Sequence, residues 1–109
     1  MDLSQFNWES KDMTYSQDFA DLDVGRDVSL QLELLQEDLL QVRYPNDITL
    51  DVGWYPAFRA NGRFVIQIIK SKDWDKPVFV REFSDIKKLK STINEALGLC
   101  TGLSRGTGD

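Results

Sequence analysis

The chain has 109 residues, of which 41% are hydrophobic and 28% charged, with a formal net charge of −5. This length predicts one compact domain and excludes a second one of ordinary size. Histidine is absent and there is one cysteine. This excludes a Ser-His or Cys-His nucleophile pair, an internal disulfide and a thiolate zinc site. We therefore expect no catalytic residue, no metal and no cofactor.

Residues 1–27 combine aromatic and acidic residues without a regular period. Neither the period of 2 typical of a strand nor the period of 3.6 typical of a helix runs through them. Disorder does not need so many aromatic residues. We therefore predict an irregular segment, with a helical turn at most, that is anchored to the domain by its aromatic side chains.

Residues 27–43 fit two patterns. Val28, Leu30, Leu32 and Leu34 alternate with polar residues as in a strand, whereas a second set of apolar residues steps by four, three, four and three as in a helix. This helical set is Val28, Leu32, Leu35, Leu39 and Val42. Because Leu, Gln and Glu favour helices and Asp27 or Ser29 can cap the start, we predict a helix that ends before Pro45.

Leu30 and Leu34 lie off the helical stripe of that predicted helix. Either the aromatic residues of the amino-terminal segment cover them, or they form part of a surface that binds a partner.

Three strands are predicted next. Ile48, Leu50, Val52 and Trp54 alternate with other residues up to Pro56, and a turn at Asn61-Gly62 that tolerates positive φ separates this strand from residues 63–70. Residues 63–70 are apolar on most of both faces, which predicts a central strand. A polar loop over 71–77, with one exposed tryptophan, leads to a third strand at 78–83.

A closing helix follows, with a cap at Ser84 and a stop at Gly98. Its apolar stripe comprises Ile86, Leu89, Ile93, Ala96 and Leu97. The sequence thus predicts one α+β domain over residues 1–99, with an irregular amino-terminal segment and a three-stranded antiparallel sheet flanked by two helices in the order α-β-β-β-α. Residues 100–109 are predicted to be a flexible tail, with Cys100 an incidental thiol.

Charge is divided unevenly along the chain. Residues 1–55 hold twelve carboxylates and three cations, a net charge of −9, and residues 56–109 hold ten cations and six carboxylates, a net charge of +4. An acidic surface repels phosphate, so neither nucleic acid nor an anionic membrane is expected as the direct ligand. Such a surface steers a basic protein toward it, although acidity can also serve solubility alone.

Two pairs of carboxylates are spaced closely enough for acid–base chemistry. They are Asp21 with Asp23 and Asp73 with Asp75. A hydrolase would need such a pair in a cleft that shifts its pKa. Solvated turn carboxylates are the simpler interpretation, and we expect no enzyme.

Three stretches and the segment before them resemble a known class of protein. The stretches are residues 50–56 (LDVGWYP), 61–64 (NGRF) and 73–77 (DWDKP), preceded by 36–40 (QEDLL). Together they resemble small bacterial immunity proteins of contact-dependent growth inhibition systems over roughly residues 30–97. The resemblance implies a cytoplasmic protein that neutralises a cognate toxin, and it transfers no binding residue.

The sequence therefore predicts an immunity protein that binds a basic nuclease toxin. The absence of an amino-terminal signal and of a long apolar run agrees with a cytoplasmic location without a membrane span. The alternative is a regulatory or assembly module that forms a homodimer through Leu30 and Leu34 or an open sheet edge. The predicted partner-binding residues are Glu33, Glu37, Asp38, Asp51, Asp73, Trp74 and Asp75.

Overall fold

Five strands form one antiparallel sheet in the computed structural model, which describes residues 1–105. They lie side by side in chain order, so each strand pairs with the next one. Two α-helices complete the domain, one between the first two strands and one after the last. The elements are Met13–Tyr15 (β1), Gln17–Asp21 (α1), Leu40–Tyr44 (β2), Ile48–Tyr55 (β3), Arg63–Lys70 (β4), Phe79–Phe83 (β5) and Leu89–Ser104 (α2).

The core lies on one face of this sheet. Alternate residues of β3 and β4, such as Leu50, Val52 and Ile66, point to this face and are fully buried. The apolar stripe of α2 packs onto them, and so does the amino-terminal segment through Phe19. The period of 2 in the strands and the helical period in α2 thus meet in one layer of side chains.

The predicted architecture is wrong in its sheet. The domain is α+β, but the sheet has five strands, not three flanked by two helices, and the order is β-α-β-β-β-β-α. Residues 48–55, 63–70 and 79–83 are strands as predicted. The two additional strands come from regions that the sequence assigned to the irregular segment and to the first helix.

The predicted helix over 27–43 does not form. Two short 3-10 turns, Val28–Leu30 and Leu32–Leu34, are followed by an extended segment and then by β2. β2 forms hydrogen-bonded ladders with β1 and β3, which a helix at this position would leave without a partner. Here tertiary pairing outweighs the intrinsic helix preference of Leu, Gln and Glu, which is small per residue.

The amino-terminal segment is more ordered than predicted. It supplies β1 and α1, whose cap Ser16 accepts a hydrogen bond from the backbone N–H of Phe19. Aromatic anchoring is confirmed, because Phe6 and Phe19 are buried and the Trp8 ring lies 4.9 Å from that of Phe6.

α2 continues past the predicted stop. The stripe predicted for it is buried, but Gly98 lies inside the helix, which ends at Ser104. Cys100, predicted to begin a flexible tail, is fully buried in the core. Residues 106–109 of the predicted tail lie outside the described residues.

The connection between β3 and β4 contains the turn predicted at Asn61-Gly62, where Gly62 donates its N–H to the carbonyl oxygen of Arg59 at 3.0 Å. The positive φ falls on Phe58 (63°), not on Asn61-Gly62. Gly62 is required for another reason, since a Cβ on it would stand 2.3 Å from Nε1 of the Trp54 indole. The buried Trp54 ring therefore excludes any side chain at position 62.

The outer edge of β5 is occupied by its own arginine. Arg81 donates from Nη1 to the carbonyl oxygen of Val80 at 2.9 Å and pairs through Nη2 with Glu95 of α2 at 3.2 Å. Its guanidinium also lies 4.4 Å from the centre of the Phe79 ring. The side chain thus spans the strand edge between the sheet and the helix.

Candidate functional site

The candidate site lies on the face of the sheet opposite the core. We call this the open face. One row of directly paired residues crosses all five strands on it, in the order Thr14, Gln41, Asp51, Gln67 and Val80. The centre of this row is polar, which is typical of the solvent side of an antiparallel sheet.

Asp51 is the only carboxylate among residues 1–105 that is buried, with 3% of its surface exposed. Gln41 donates from Nε2 to its Oδ1 at 3.0 Å, and Gln67 donates from Nε2 to its Oδ2 at 3.3 Å. Burial raises the pKa of Asp51, the two amides act against that rise, and the charge of Asp38 adds to it. Such a buried, hydrogen-bonded carboxylate marks a candidate functional site.

A β-bulge brings two further acids to the open face. Leu39 donates its N–H to the carbonyl of Val52 at 3.1 Å, and Trp54 donates to that of Gln36 at 2.9 Å. Between these bonds, residues 37–38 stand opposite the single residue 53. The bulge sets Glu37 and Asp38 beside the row that contains Asp51, with both side chains exposed.

Gly53 is the residue that permits this bulge. A Cβ at this position would stand 2.0 Å from the carbonyl oxygen of Glu37, which crosses directly over it. No side chain can be accommodated at that distance without moving the backbone of the bulge. The glycine within the LDVGWYP stretch therefore fixes where the two acids lie.

The pKa of the Tyr55 phenol is affected by the proximity of these acids. Burial raises its pKa, and the charges of Asp51, Asp38 and Glu37 raise it further. Tyr55 and the three carboxylates thus form one electrostatically coupled group at the end of the open face where β3 ends.

A groove of about 430 Å³ lies next to this group, at the edge formed by β1 and β2. Two charged residues line this groove. The Asp38 carboxylate has no hydrogen bond or ion pair within residues 1–105, whereas the Arg43 guanidinium already has two partners. Arg43 pairs with Asp12 at 3.4 Å and donates to Oε1 of Gln41 at 3.3 Å. The lining is Thr14, Tyr15, Ser16, Asp38, Leu40, Gln41 and Arg43.

A second groove, of about 680 Å³, lies on the far side of the domain between residues 24–28 and 84–87. Its two carboxylates are already engaged in capping. Asp27 accepts the backbone N–H of Ser29, and Asp85 accepts that of Lys87. The lining also includes Arg26 and Lys87, so this groove has as many cations as acids.

The predicted site residues fall into separate places. Glu37, Asp38 and Asp51 are brought together, but Asp51 is buried and offers no exposed carboxylate, contrary to its predicted role as a contact. Glu33 is exposed on the 3-10 turn Leu32–Leu34.

The predicted loop residues lie elsewhere. Asp73, Trp74 and Asp75 are exposed in the connection between β4 and β5, and Trp74 keeps 47% of its surface exposed. That connection is bound to the β2–β3 turn through the N–H of Ser71 and the carbonyl of Asp47. It lies at the opposite end of β3 from Gly53, about 17 Å away at ~3.3 Å per residue.

Sequence reasoning missed Gln41 and Gln67, the two donors to Asp51. Gln67 could have been found, since it interrupts an otherwise apolar run at the centre of a predicted strand. Gln41 was hidden because its segment was assigned to a helix. A polar residue at the centre of each of three neighbouring strands would have been the signal.

The groups that the site offers to a ligand are carboxylates and amides. Cys100, the one thiol, is fully buried on the other face, and burial raises its pKa to about 12. Among residues 1–105 no group of three or more Cys, Asp or Glu is placed to hold a metal ion. The open face carries these acceptors and acids together with Arg43 and Arg63, and its unpaired acids favour a ligand that donates hydrogen bonds and carries positive charge.

Neither a protein-family model, nor a curated protein, nor a solved structure matches this chain. No helix within residues 1–105 is long and apolar enough to cross a membrane.

Proposed function

We propose that this protein is a non-catalytic immunity protein that binds and neutralises a cognate toxin in the cytoplasm. The toxin is a basic nuclease domain, and its cationic surface meets the open face of the sheet. The observation that carries the proposal is the gathering of Glu37 and Asp38 around the buried Asp51. The resemblance of residues 30–97 to immunity proteins supplies the class of partner.

Charge complementarity supports this mode of binding. A nuclease must hold phosphate and therefore displays positive charge, which an acidic protein surface can cover. The bulge acids have no ion pair within residues 1–105, while Arg43, which lines the same groove as Asp38, is already paired with Asp12. The carboxylates are thus available to an incoming cation, and long-range attraction accelerates the encounter.

The experiment is co-expression of this chain with the toxin encoded beside its gene. We expect growth to be rescued and a complex to survive moderate salt. Absence of both rescue and complex would reject the proposal.

A charge-reversal pair locates the surface. Glu37→Lys with Asp38→Lys should slow association about tenfold at low salt, because both steering charges are inverted. The matched control is Asp73→Lys with Asp75→Lys, which makes the same change of net charge in the exposed loop at the other end of the sheet. Equal slowing by the two pairs would show that overall charge, and not the open face, governs binding.

The homodimer alternative has less support. Leu30 is 60% exposed, but Leu34 is half-buried against the core, so the two do not form the apolar pair that the alternative requires. The β5 edge is occupied by Arg81. Sedimentation velocity over a range of concentrations distinguishes the two, since a homodimer would sediment faster as concentration rises.

A further inference from the structure

The two glutamines beside Asp51 have fixed orientations. An ionised carboxylate only accepts hydrogen bonds, so both amides must direct their nitrogen atoms toward it. This is the arrangement observed, with Nε2 of Gln41 on Oδ1 and Nε2 of Gln67 on Oδ2. Because the nitrogen and oxygen of an amide diverge from one carbon, both amide oxygens must point away from Asp51. The buried charge therefore makes the neighbouring surface rich in acceptors.

On the β2 side, one such oxygen already holds a guanidinium. Oε1 of Gln41 accepts from Nη2 of Arg43 at 3.3 Å. A guanidinium of the protein itself thus demonstrates what an outward amide oxygen of this row binds. Asp12 shares that guanidinium, so an amide oxygen and a carboxylate act together on it.

On the β4 side, the equivalent oxygen has no such partner. Within residues 1–105 no side chain donates to Oε1 of Gln67. The half-buried Val65 precedes it on the same face, and Val80 stands directly opposite on β5. Glu82 pairs with Val65 and therefore lies diagonal to Gln67, about 7 Å away on the same face. Its exposed carboxylate also lacks an ion pair among the described residues.

We infer that the open face receives an arginine side chain of the partner between Gln67 and Glu82, with Asp51 as the residue that positions the Gln67 amide. This inference rests on the proposed function and specifies the group that the partner contributes. Asp51 does not touch that group. It acts through Gln67, whose oxygen it turns outward.

Arginine fits this position better than lysine. Its planar guanidinium presents several donors that can reach an amide oxygen and a carboxylate together, and it is more weakly hydrated than an ammonium group. Its carbon stem can lie across the half-buried Val65 and Val80. Arg43 repeats the same pattern two strands away, with an amide oxygen and a carboxylate as acceptors.

The test uses a hexa-arginine peptide and the full chain, followed by ¹⁵N NMR. We expect the side-chain amide of Gln67 and the backbone of Val80 to shift on titration. Gln67→Met, which keeps the length but removes the amide oxygen together with the nitrogen that donates to Asp51, should weaken binding about tenfold. Binding of that variant at wild-type affinity would overturn the inference, as would equal affinity for hexa-lysine.

The positioning role of Asp51 has its own variant. Asp51→Asn introduces a donor, so one glutamine must turn its oxygen inward, and Gln67 is the free one because Arg43 holds Gln41. The outward nitrogen of Gln67 then faces the guanidinium, and we expect binding to weaken about tenfold. Asp75→Asn removes the same charge from the loop after β4, so a loss of affinity that both variants share is due to net charge alone. Equal effects of the two substitutions would contradict the positioning role.

The two proposals fail separately. If the toxin is neutralised but Gln67→Met forms the complex as well as wild type does, the arginine position is wrong and the immunity function stands. If no toxin is neutralised while the peptide responses are as expected, the immunity function is wrong and the guanidinium position stands. The chemical-shift dispersion of each variant verifies its fold in the same spectra.

Discussion

A buried carboxylate at the centre of a sheet lowers the stability of the folded protein. Asp51 loses most of its hydration, and two neutral amides replace it only in part. Residues that lower stability in this way are often found where binding requires them. The same residue should therefore show opposite effects on folding and on binding when it is neutralised.

Asp51→Asn is expected to stabilise the isolated protein at neutral pH. The folded-state pKa of Asp51 is raised above 3.8, so the folded protein binds its proton more tightly than the unfolded chain does. The free energy of unfolding therefore falls as pH rises from about 4 through the raised pKa. The variant lacks this loss and should therefore be more stable than the wild type at pH 7.

Urea denaturation between pH 4 and pH 8 measures this effect. Asp75→Asn, the matched change in an exposed loop, should follow the wild-type profile. A variant at position 51 that loses stability at pH 7, or that keeps the wild-type dependence on pH, would contradict the assignment of the raised pKa.

Gly53→Ala is expected to destabilise the protein by about 3 kcal/mol, because its Cβ would overlap the Glu37 carbonyl at 2.0 Å. Gly98→Ala is the control. It lies inside α2 with nothing within 4 Å of the added Cβ and should stabilise by about 0.5–1 kcal/mol. Chemical denaturation of both variants decides the point, and a mild effect at position 53 would mean that the bulge can move aside.

At the scale of elements, the sequence predicts those strands and helices whose own hydrophobic period is clear without reference to their neighbours. β3 and β4 are eight residues long and strongly apolar, so they were predicted with correct bounds, whereas for α2 the buried stripe was predicted correctly and both ends were not. β1 has three residues and exists only because β2 lies beside it. β2 mixes residues that favour helices, such as Leu40 and Gln41, with Val42 and Tyr44, which favour strands, so its local preference is ambiguous and pairing with β1 and β3 decides it.

The turn between β2 and β3 links two elements. Asn46 has a φ of 66° and donates from Nδ2 to the carbonyl oxygen of Ser104 at 3.0 Å, which satisfies one of the free carbonyls at the end of α2. The turn thus serves both the hairpin and the helix.

Two substitutions of Asn46 separate these roles. Asn46→Gly keeps the positive φ but loses the bond to α2, and should destabilise by about 0.5–1 kcal/mol. Asn46→Ala loses both and should cost about 1 kcal/mol more. Thermal denaturation measures the difference. Equal stability of the two variants would show that the positive φ at this turn carries no penalty.

At the scale of the whole molecule, the division of charge along the chain predicts where the acids of the open face come from better than the choice of individual contact residues does. The acidic half supplies the bulge acids and Asp51, as its net charge of −9 suggested. The sequence predicts Asp73 and Asp75 as contacts of the same partner because they flank an aromatic residue, Trp74, but they lie at the other end of the sheet. A contact surface depends on register and on bulges, which a linear pattern does not contain, so the pairing of Gln41 and Gln67 with Asp51 could not be derived from it.

The contacts of Arg81 have a consequence for the behaviour of this protein at high concentration. Open strand edges invite neighbouring copies to extend the sheet indefinitely, which is how ordered fibres begin. Here the edge carbonyl of Val80 is bound by a charged side chain that Glu95 holds in place. Arg81 thereby makes the β5 edge a poor template for the strand of a second copy.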